Sequence, residues 1–425
     1  MENTKVSICS KIATYLLLCY YFLTVICMIL YVEYAWPLLA VGCIFTVFGL
    51  ILNKGRFVIS KQNKIVWLWE GMWLYILIVS IISYITSTMN ADGIKYCILR
   101  FIFYPIPIFL LLKKVDKEYF LYCLKIVGFI LTILGLIEFI IKDNFLFYII
   151  RNEKFMFFIY TIGKSSYRIR SIFIHPIIYA LFLVFLWIIN INRPFKNNVI
   201  KTLSLSLIFL NIIATNSRSG WISLACVSLV FLLTIHEQVR KKMSKRKLLG
   251  VFLSLILLIV LIIALNKKMD ILEITRGVID RFSSGLSSND MSNYIRLTII
   301  MNSLIYFVKN PLILLFGGGQ GYADIWLKNN SISAVTGTWD SAIDNQYITM
   351  IFNGGLVSMI FLILIGLYVF KIAIEKERTI AKIGALCFMA LFINTFFWES
   401  FGNYLILYFI YVWIFLIGDN YCGCE

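Results

Sequence analysis

Apolar runs of about 20 residues, separated by short polar connections, recur along almost the whole chain. A helix of this length crosses roughly 30 Å of hydrocarbon and satisfies its backbone polar groups internally. The pattern predicts an all-α fold, a polytopic integral membrane protein with about 12 transmembrane helices. The predicted spans are 12–32, 35–53, 66–86, 96–112, 119–141, 172–191, 199–215, 219–235, 248–265, 347–371, 379–397 and 401–418.

Composition agrees with this class and excludes a soluble domain. Hydrophobic residues make up 61% of the chain and charged residues only 14%, which lies outside the range of soluble proteins. Lys and Arg recur in alternate connections, as expected for loops on the cytoplasmic side of a membrane. The formal charge of +17 is therefore a topology signal. It predicts no nucleic-acid partner, but it suits a basic face against anionic membrane lipid.

The same charge placement predicts a single membrane domain over residues 1–425 with both termini in the cytoplasm. Two connections then lie outside. The first extracytoplasmic loop, 142–171, is basic, although basic residues are disfavoured on the outer side of a membrane. We therefore expect another group to compensate for its positive charge. The long extracytoplasmic loop, 266–346, is the only long polar segment of the chain and is expected to contain short helices.

Neither the cysteines nor the histidines predict a metal or another cofactor. Most of the ten cysteines lie inside predicted spans, so we expect them to pack between helices and not to form disulfides. The terminal Cys422-Gly-Cys424 pattern is a weak metal signal. The two histidines, His175 and His236, fall on opposite sides of the predicted membrane, which argues against a histidine metal site.

Single arginines mark the outer ends of two predicted spans. Arg100 lies just inside the fourth span, and Arg218 lies in the connection 216–220. An ionisable group at membrane depth is costly, so it usually faces a bundle interior or a cavity. Guanidinium offers a planar fork of donors that suits phosphate or carboxylate oxygens, which indicates an anionic substrate. The alternative is that each arginine extends to lipid headgroups.

Two short motifs resemble those of a known protein family. The sequence RIRSIFIHP, from Arg168 to Pro176 with Ala180 following, opens the sixth span, and ATNSRSGW, from Ala214 to Trp221, leads into the eighth. Both motifs resemble the O-antigen polymerase and O-antigen ligase superfamily, the Wzy and WaaL type of bacterial polysaccharide membrane enzymes.

The long loop continues this resemblance, which covers roughly 165–370. Its elements match the family's loop helix, glycine-rich turn, His/Asp-Asn-x-Tyr motif and Gly-Leu motif. In chain order they are Arg296, Asn310-Pro311, Gly317–Gly321, Asp344–Tyr347 and Asn353–Leu356. The glycine-rich turn is also open to a simpler interpretation as a flexible turn or a packing site. It is not a P-loop, because no Gly-Lys-Ser/Thr ending follows.

The resemblance implies a metal-independent membrane glycosyltransferase that needs no cofactor. Its donor would be a glycan on undecaprenyl diphosphate, transferred on the outer face of a bacterial plasma membrane to a sugar hydroxyl of another lipid-linked unit. Capsule, O-antigen or exopolysaccharide synthesis is the implied process, with a flippase and a chain-length regulator of the same pathway as partners. Ligases usually have a histidine where this chain has Asp344, which favours a repeat-unit polymerase. A ligase acting on a different acceptor is the first alternative, and a lipid-linked oligosaccharide flippase is an alternative of another class.

The resemblance also suggests roles for individual residues. Arg218, Arg296 and Arg168 would stabilise the departing diphosphate, and Asp344 would accept the proton of the attacking hydroxyl. Asp340 is the fallback base. The alternative is that both aspartates cap the tenth span. Candidate substrate-binding residues are Arg100, Arg168, Arg170, His175, Arg281, Asp340 and Asn345, with His175 expected mainly to form a structural hydrogen bond next to Pro176.

Polar residues recur every seven positions between 289 and 310, as Asn289, Arg296, Ser303 and Asn310. This spacing predicts a polar strip along a largely apolar helix that lies on the membrane or lines a cavity. Asn310-Pro311 should end the helix, because a residue before proline avoids helical geometry. We expect this helix to act as a lid beside the lipid diphosphate, with Arg296 turned inward.

Overall fold

The structure is a computed structural model that describes residues 6–30, 36–55, 64–144, 167–240, 291–330, 343–375 and 379–418. In these ranges the regular structure is helical throughout, with no strand. The helices are Ile8–Leu30 (α1), Trp36–Leu52 (α2), Lys64–Ile85 (α3), Asp92–Cys97 (α4), Pro105–Leu112 (α5), Lys117–Ile141 (α6), Pro176–Asn192 (α7), Asn198–Ala214 (α8), Arg218–Arg240 (α9), Met291–Lys309 (α10), Pro311–Phe316 (α11), Tyr322–Asn329 (α12), Gln346–Ala373 (α13), Ile380–Asn394 (α14) and Tyr404–Gly418 (α15). A π-helical segment, Ile98–Phe103, joins α4 to α5.

Five helical stretches among the described residues are long and apolar enough to cross a membrane. They are α1, α3, α6, α13 and the continuous stretch Asp92–Leu112. The predictions of an all-α fold and of a membrane protein are confirmed. The number of about 12 spans stays a prediction, since the other apolar helices are shorter and the predicted span 248–265 lies outside the described residues.

The chain divides into two compact units. Unit 1 comprises Met1–Phe120, Ser288–Ile372 and Thr379–Glu425, and unit 2 comprises Leu121–Ser287 and Ala373–Arg378. A single membrane domain over residues 1–425 stays a prediction. The helices next to the two predicted loops end at Ile141 and begin at Gln346, and α10 to α12 lie within the long loop.

Helix α15 is the centre of unit 1. Nearly all of its side chains are buried, and it contacts α1, α3, α5 and α14. Small residues allow close approach at these contacts, which is how helices pack when lipid removes most of the hydrophobic gain of association. A Cβ added at Gly384 of α14 would meet the carbonyl oxygen of Trp413 at 3.1 Å.

Helix α10 packs one face against the rest of unit 1. Ile299 and Phe307 join a buried cluster with Trp326 and Phe352, and Ser303 between them is fully buried. The opposite face is apolar and exposed, with Met301, Leu304, Ile305 and Val308. Ser303 of the predicted polar strip therefore faces protein, while the apolar face is the exposed one. The predicted end of the helix at Asn310-Pro311 is confirmed, because α11 begins at Pro311.

Helix α7 holds the same central place in unit 2. Its side chains are almost all buried, and it contacts α8 and α9. Polar groups link it to its neighbours, because the Tyr179 hydroxyl donates to the Asn211 amide oxygen at 3.0 Å. Asn211 in turn donates to the carbonyl of Thr132 at 3.0 Å. These hydrogen bonds hold together the helices that support the connection 167–175.

Candidate functional site

A buried carboxylate organises the connection that leads into α7. Glu138, near the end of α6, accepts hydrogen bonds from the Tyr167 hydroxyl at 2.7 Å and from the Ser171 amide at 2.6 Å. The Arg170 amide lies 3.3 Å from both carboxylate oxygens. Asn144 adds a bond to the Ser171 carbonyl at 2.8 Å. We call these residues the Glu138 clamp; it holds the motif Arg168–Pro176 in place.

The clamp gives the two arginines of this motif different environments. Arg170 is 4% exposed, and its guanidinium donates to the Ile174 carbonyl at 3.1 Å. Burial lowers the pKa of Arg170 to about 10, against the opposing effect of Glu138. Arg168 is only partly buried and donates from Nε to the Thr215 carbonyl at 3.0 Å. Arg170 therefore supports the fold, whereas Arg168 is the better placed of the two to meet a ligand.

His175 caps the helix that follows it. Its Nδ1 accepts from the Ile177 amide at 3.1 Å, and Pro176 takes the first helical position, where a missing amide costs nothing. Burial, together with the charges of Arg168 and Arg170, lowers the pKa of His175 to about 3. A neutral ring fits a nitrogen that accepts a hydrogen bond. The expected structural role of His175 agrees with this geometry.

The second motif meets the first within unit 2. Ser217 precedes α9, and its hydroxyl accepts from the Gly220 amide at 3.4 Å, which is the bonding pattern of a helix cap. A Cβ at Gly220 would lie 2.7 Å from the Cβ of Ala180 in α7, so glycine permits the helices to touch here. Arg218 is the first residue of α9 and is partly buried. The motif thus combines a helix cap at Ser217, a cation at the helix start at Arg218 and a close contact between helices at Gly220.

In unit 1 the glycine-rich turn interlocks with α13. The amides of Gly318 and Gly319 donate to the carbonyls of Phe352 and Asn353 at 2.8 and 2.9 Å. Gly317 has a φ of +79°, and a Cβ there would lie 2.5 Å from the Asn353 carbonyl oxygen. Gly355, inside α13, has a φ of +60°, and its missing Cβ leaves room for the Leu315 backbone. The turn is a packing site, one of the two simpler interpretations of its sequence.

The start of α13 is tied to the connection between α14 and α15. Asn345 caps α13, because its side-chain oxygen accepts from the amides of Tyr347 and Ile348 at 3.0 and 3.2 Å. Gln346 accepts from the amides of Ser400 and Phe401 at 2.9 and 2.8 Å. The two side-chain hydrogen bonds that cap α13 here come from Asn345, and the role of Asp344 stays a prediction. Asn345, expected to bind substrate, is used here by the fold.

Charged residues gather beside this junction. The guanidinium of Arg100, in the π-helical segment, lies 3.5 Å from the Tyr96 ring centroid and 4.7 Å from that of Tyr404, and it donates to the Gly402 carbonyl. Glu399 lies three residues before Gly402. The pKa of Glu399 is raised to about 7, mainly by burial and further by the charges of Asp324 and Asp344, while the charge of Arg100 opposes the rise.

Comparison with known families decides the meaning of these motifs. Residues 203–363 match the family model described as O-antigen ligase. This segment is similar to the O-antigen ligase family. The resemblance to the O-antigen ligase and polymerase superfamily is thereby confirmed, and at family level it supports glycan transfer by a membrane enzyme. No curated protein matches the chain at a significant level.

The O-antigen ligase segment contains Arg218, Arg296, the glycine-rich turn and Asp344. Arg296 is part of helix α10. Arg281 and Asp340 lie outside the described residues. The remaining candidates form two groups. Arg168, Arg170, His175 and Arg218 lie in unit 2, and Arg100, Asp344 and Asn345 lie in unit 1.

Two carboxylates, Glu138 and Glu399, were not among the predicted site residues, although the position of each in the sequence indicates it. Glu138 is the only acidic residue in the predicted span 119–141, and Glu399 is the only charged residue between the last two spans. An ionisable residue at membrane depth marks a function or a polar contact, whatever its sign. Among charged residues at the ends of spans, the sequence-based prediction considered only arginines and therefore did not include these two glutamates.

Proposed function

We propose that the chain is a membrane glycosyltransferase that polymerises glycan repeat units carried on undecaprenyl diphosphate. The observation that carries this proposal is the match of residues 203–363 to the O-antigen ligase family, a segment that contains Arg218, Arg296 and Asp344. The family match favours transfer over transport. Asp344 stands where ligases usually have a histidine, and that departure favours the polymerase.

The reaction couples two bond changes at the anomeric carbon of the donor sugar. The acceptor hydroxyl oxygen bonds to this carbon, and the bond to the diphosphate oxygen breaks with its electron pair. Arg218, Arg296 and Arg168 are proposed to stabilise the departing diphosphate, because guanidinium groups fixed at a developing charge lower the barrier. A carboxylate accepts the proton of the attacking hydroxyl, and Asp344 is the candidate that the motif supplies.

The proposed setting is a bacterial plasma membrane with both termini in the cytoplasm and the reaction on the outer face. The alternation of Lys-rich and Arg-rich connections supports it. Reporter fusions to either terminus that become active only outside the cytoplasm would contradict this topology.

Reconstitution tests the function directly. The purified protein is supplied with undecaprenyl-diphosphate-linked repeat units extracted from cells that lack this chain, and products are separated by size. A ladder of longer glycans is expected, and Arg218→Ala and Arg296→Ala should each slow its formation by about a hundredfold. A ladder that both variants form at the unmodified rate would remove the proposed arginine roles.

A ligase is the second candidate, and the description of the matched family favours it. The same reconstitution distinguishes the two enzymes. A ligase would give a single transfer to an added lipid A core, or to another acceptor, and no ladder from lipid-linked units alone.

A further inference from the structure

The hydrogen bonds of Glu138 end at residues on either side of Arg168. The carboxylate accepts from the Tyr167 hydroxyl at 2.7 Å, just before Arg168, and from the Arg170 amide at 3.3 Å, just after it. Ile169, which lies between the two arginines, is fully buried. The backbone that carries Arg168 is therefore fixed from both sides, although its own guanidinium lies elsewhere.

The same carboxylate holds the unusual backbone conformation of Ser171, the residue after Arg170. Ser171 has a φ of +52°, in the left-handed region, which costs energy for a residue with a side chain and persists only where the surroundings fix it. The Ser171 amide donates to Glu138 at 2.6 Å, and its carbonyl accepts from the Asn144 side chain at 2.8 Å. Strained backbone of this kind is concentrated at active sites and ligand-binding segments. Glu138 therefore stabilises one specific conformation of the connection 167–171.

Glu138 can fix this connection because its own helix is held in place. The Tyr179 hydroxyl of α7 donates to the Leu131 carbonyl of α6 at 3.0 Å, and Asn211 of α8 donates to the Thr132 carbonyl of α6 at 3.0 Å. Glu138 itself is only 4% exposed, so bulk water does not compete for its hydrogen bonds. A buried carboxylate on a fixed helix, with hydrogen bonds strengthened by its charge, is a rigid support for the residues that it binds.

The side chain of Arg168 extends from this support to the connection that precedes α9. Its Nε donates to the Thr215 carbonyl at 3.0 Å, and the neighbouring Ile169 amide donates to the Ala214 carbonyl at 3.4 Å. Arg218 begins α9 shortly after Thr215. Both arginines are only partly buried, and guanidinium groups bind phosphate oxygens through paired donors. Two cations that suit a diphosphate therefore belong to one connection within unit 2.

We propose that Glu138 is a positioning residue that holds Arg168 where it binds the diphosphate of the lipid-linked donor. This inference rests on the proposed glycan transfer and adds to it a residue that does not touch the substrate. Arg168 stabilises the departing diphosphate only if its guanidinium stays in one place, because a displaced donor gives much less stabilisation. Without the Glu138 carboxylate, the connection 167–171 relaxes and Arg168 loses its fixed position at the Thr215 carbonyl.

A double-mutant cycle in the full-length protein separates positioning from general stability. Equilibrium binding of radiolabelled undecaprenyl diphosphate is measured for the unmodified protein, Glu138→Gln, Arg168→Ala and the double variant. Glutamine keeps the size of the side chain, but its NH2 group cannot accept from a backbone amide. Glu138→Gln should weaken binding by about tenfold, as for the loss of a charge-assisted contact. In Arg168→Ala the same change should weaken binding by less than about twofold, because the residue through which Glu138 acts is gone.

Lys125→Met is the matched control. Lys125 is a buried charged residue of the same helix, and it donates to the Arg193 carbonyl, at the other end of α7, at 2.7 Å. Its loss should lower the stability of the protein without changing the affinity for undecaprenyl diphosphate. Tyr167→Phe removes only one of the Glu138 bonds and takes the place of Glu138→Gln if that variant does not fold. It should weaken binding by about fivefold, again only when Arg168 is present.

Three outcomes would overturn the inference. The unmodified protein does not bind undecaprenyl diphosphate, the Glu138 variant binds it within about twofold of the unmodified affinity, or the Glu138 and Arg168 changes weaken binding independently. Independent losses would mean that Glu138 acts only on the stability of the fold. An unmodified protein that shows the coupled loss of binding in its variants but forms no ladder of glycans would instead overturn the proposed function.

Discussion

Glu138 and Glu399 are both carboxylates held away from bulk water, but their surroundings are opposite. Glu138 accepts hydrogen bonds from the Tyr167 hydroxyl and from the Ser171 and Arg170 amides, at 2.6 to 3.3 Å. Glu399 is governed by burial and by the charges of Asp324, Asp344 and Arg100. Burial disfavours the charged form of both carboxylates; hydrogen-bond donors oppose that effect at Glu138, whereas neighbouring carboxylates add to it at Glu399.

The difference lies in the groups that surround each carboxylate. Removing Glu138 would leave several buried donors without an acceptor, which is costly in a protein interior. Removing the charge of Glu399 would relieve repulsion between carboxylates. Burial of an acidic group is therefore a poor guide to function until its neighbours are known.

The largest expected effect comes from breaking the Glu138 clamp. Glu138→Ala should lower the free energy of unfolding by about 3 kcal/mol, because buried amide and hydroxyl donors lose a charged acceptor. Glu399→Gln should leave the free energy of unfolding unchanged or slightly higher. Denaturation in detergent, followed by tryptophan fluorescence, measures both. If the two variants lost equal stability, the contrast between the carboxylates would be wrong.

A second prediction concerns the glycine-rich turn, which lies in the same unit as Glu399. Gly317→Ala should cost about 2 to 3 kcal/mol, since its φ is positive and its Cβ would press on the Asn353 backbone. The matched control is Gly366→Ala in α13, where a Cβ meets nothing within 4 Å. That change should be neutral or stabilising by about 0.5 to 1 kcal/mol, since alanine is the better helix former. Equal losses in the two variants would show that the turn is not a packing site.

A smaller effect is expected at the helix cap beside the Glu138 clamp. His175→Ala should cost about 1 kcal/mol, and His175→Asn should retain most of that energy because asparagine also caps helices. The pKa of His175 falls from its ordinary 6.5 to about 3 in the folded chain. Below pH 6.5 the unfolded chain gains a proton that the folded chain refuses, so stability should fall as the pH drops from 6.5 towards 3. His175→Asn should flatten that part of a pH series of denaturation curves.

The smallest change tests the charges around Glu399. Asp324→Asn removes the carboxylate that does most, after burial, to raise the pKa of Glu399. The pKa of Glu399 should therefore fall below its value of about 7. A titration of the carboxyl signal of Glu399, followed by infrared spectroscopy across the range around pH 7, measures this shift. A pKa that stayed in place would mean that Asp324 does not act on Glu399.

Local signals in the chain predicted the helices and several of their ends. Apolar runs gave helices within a few residues of their observed bounds, and Asn310-Pro311 ended α10 as expected, because proline acts on its immediate neighbour. The cap by His175 also follows from adjacent residues. Contacts between distant residues were not predicted. Glu138 meets Ser171 across 33 positions, and Gln346 meets Ser400 across 54, and no short motif records such a pairing.

The sequence by itself determined that this protein is helical, has helices long and apolar enough to cross a membrane, and contains a segment similar to the O-antigen ligase family. Hydrophobic length and local motifs carry that information residue by residue. Tertiary structure alone decided that Asn345 caps α13, that the glycines serve packing, and that Glu138 and Glu399 differ in their surroundings. The protonation and purpose of a buried carboxylate depend on which donors and charges surround it, and only the folded chain brings these neighbours together.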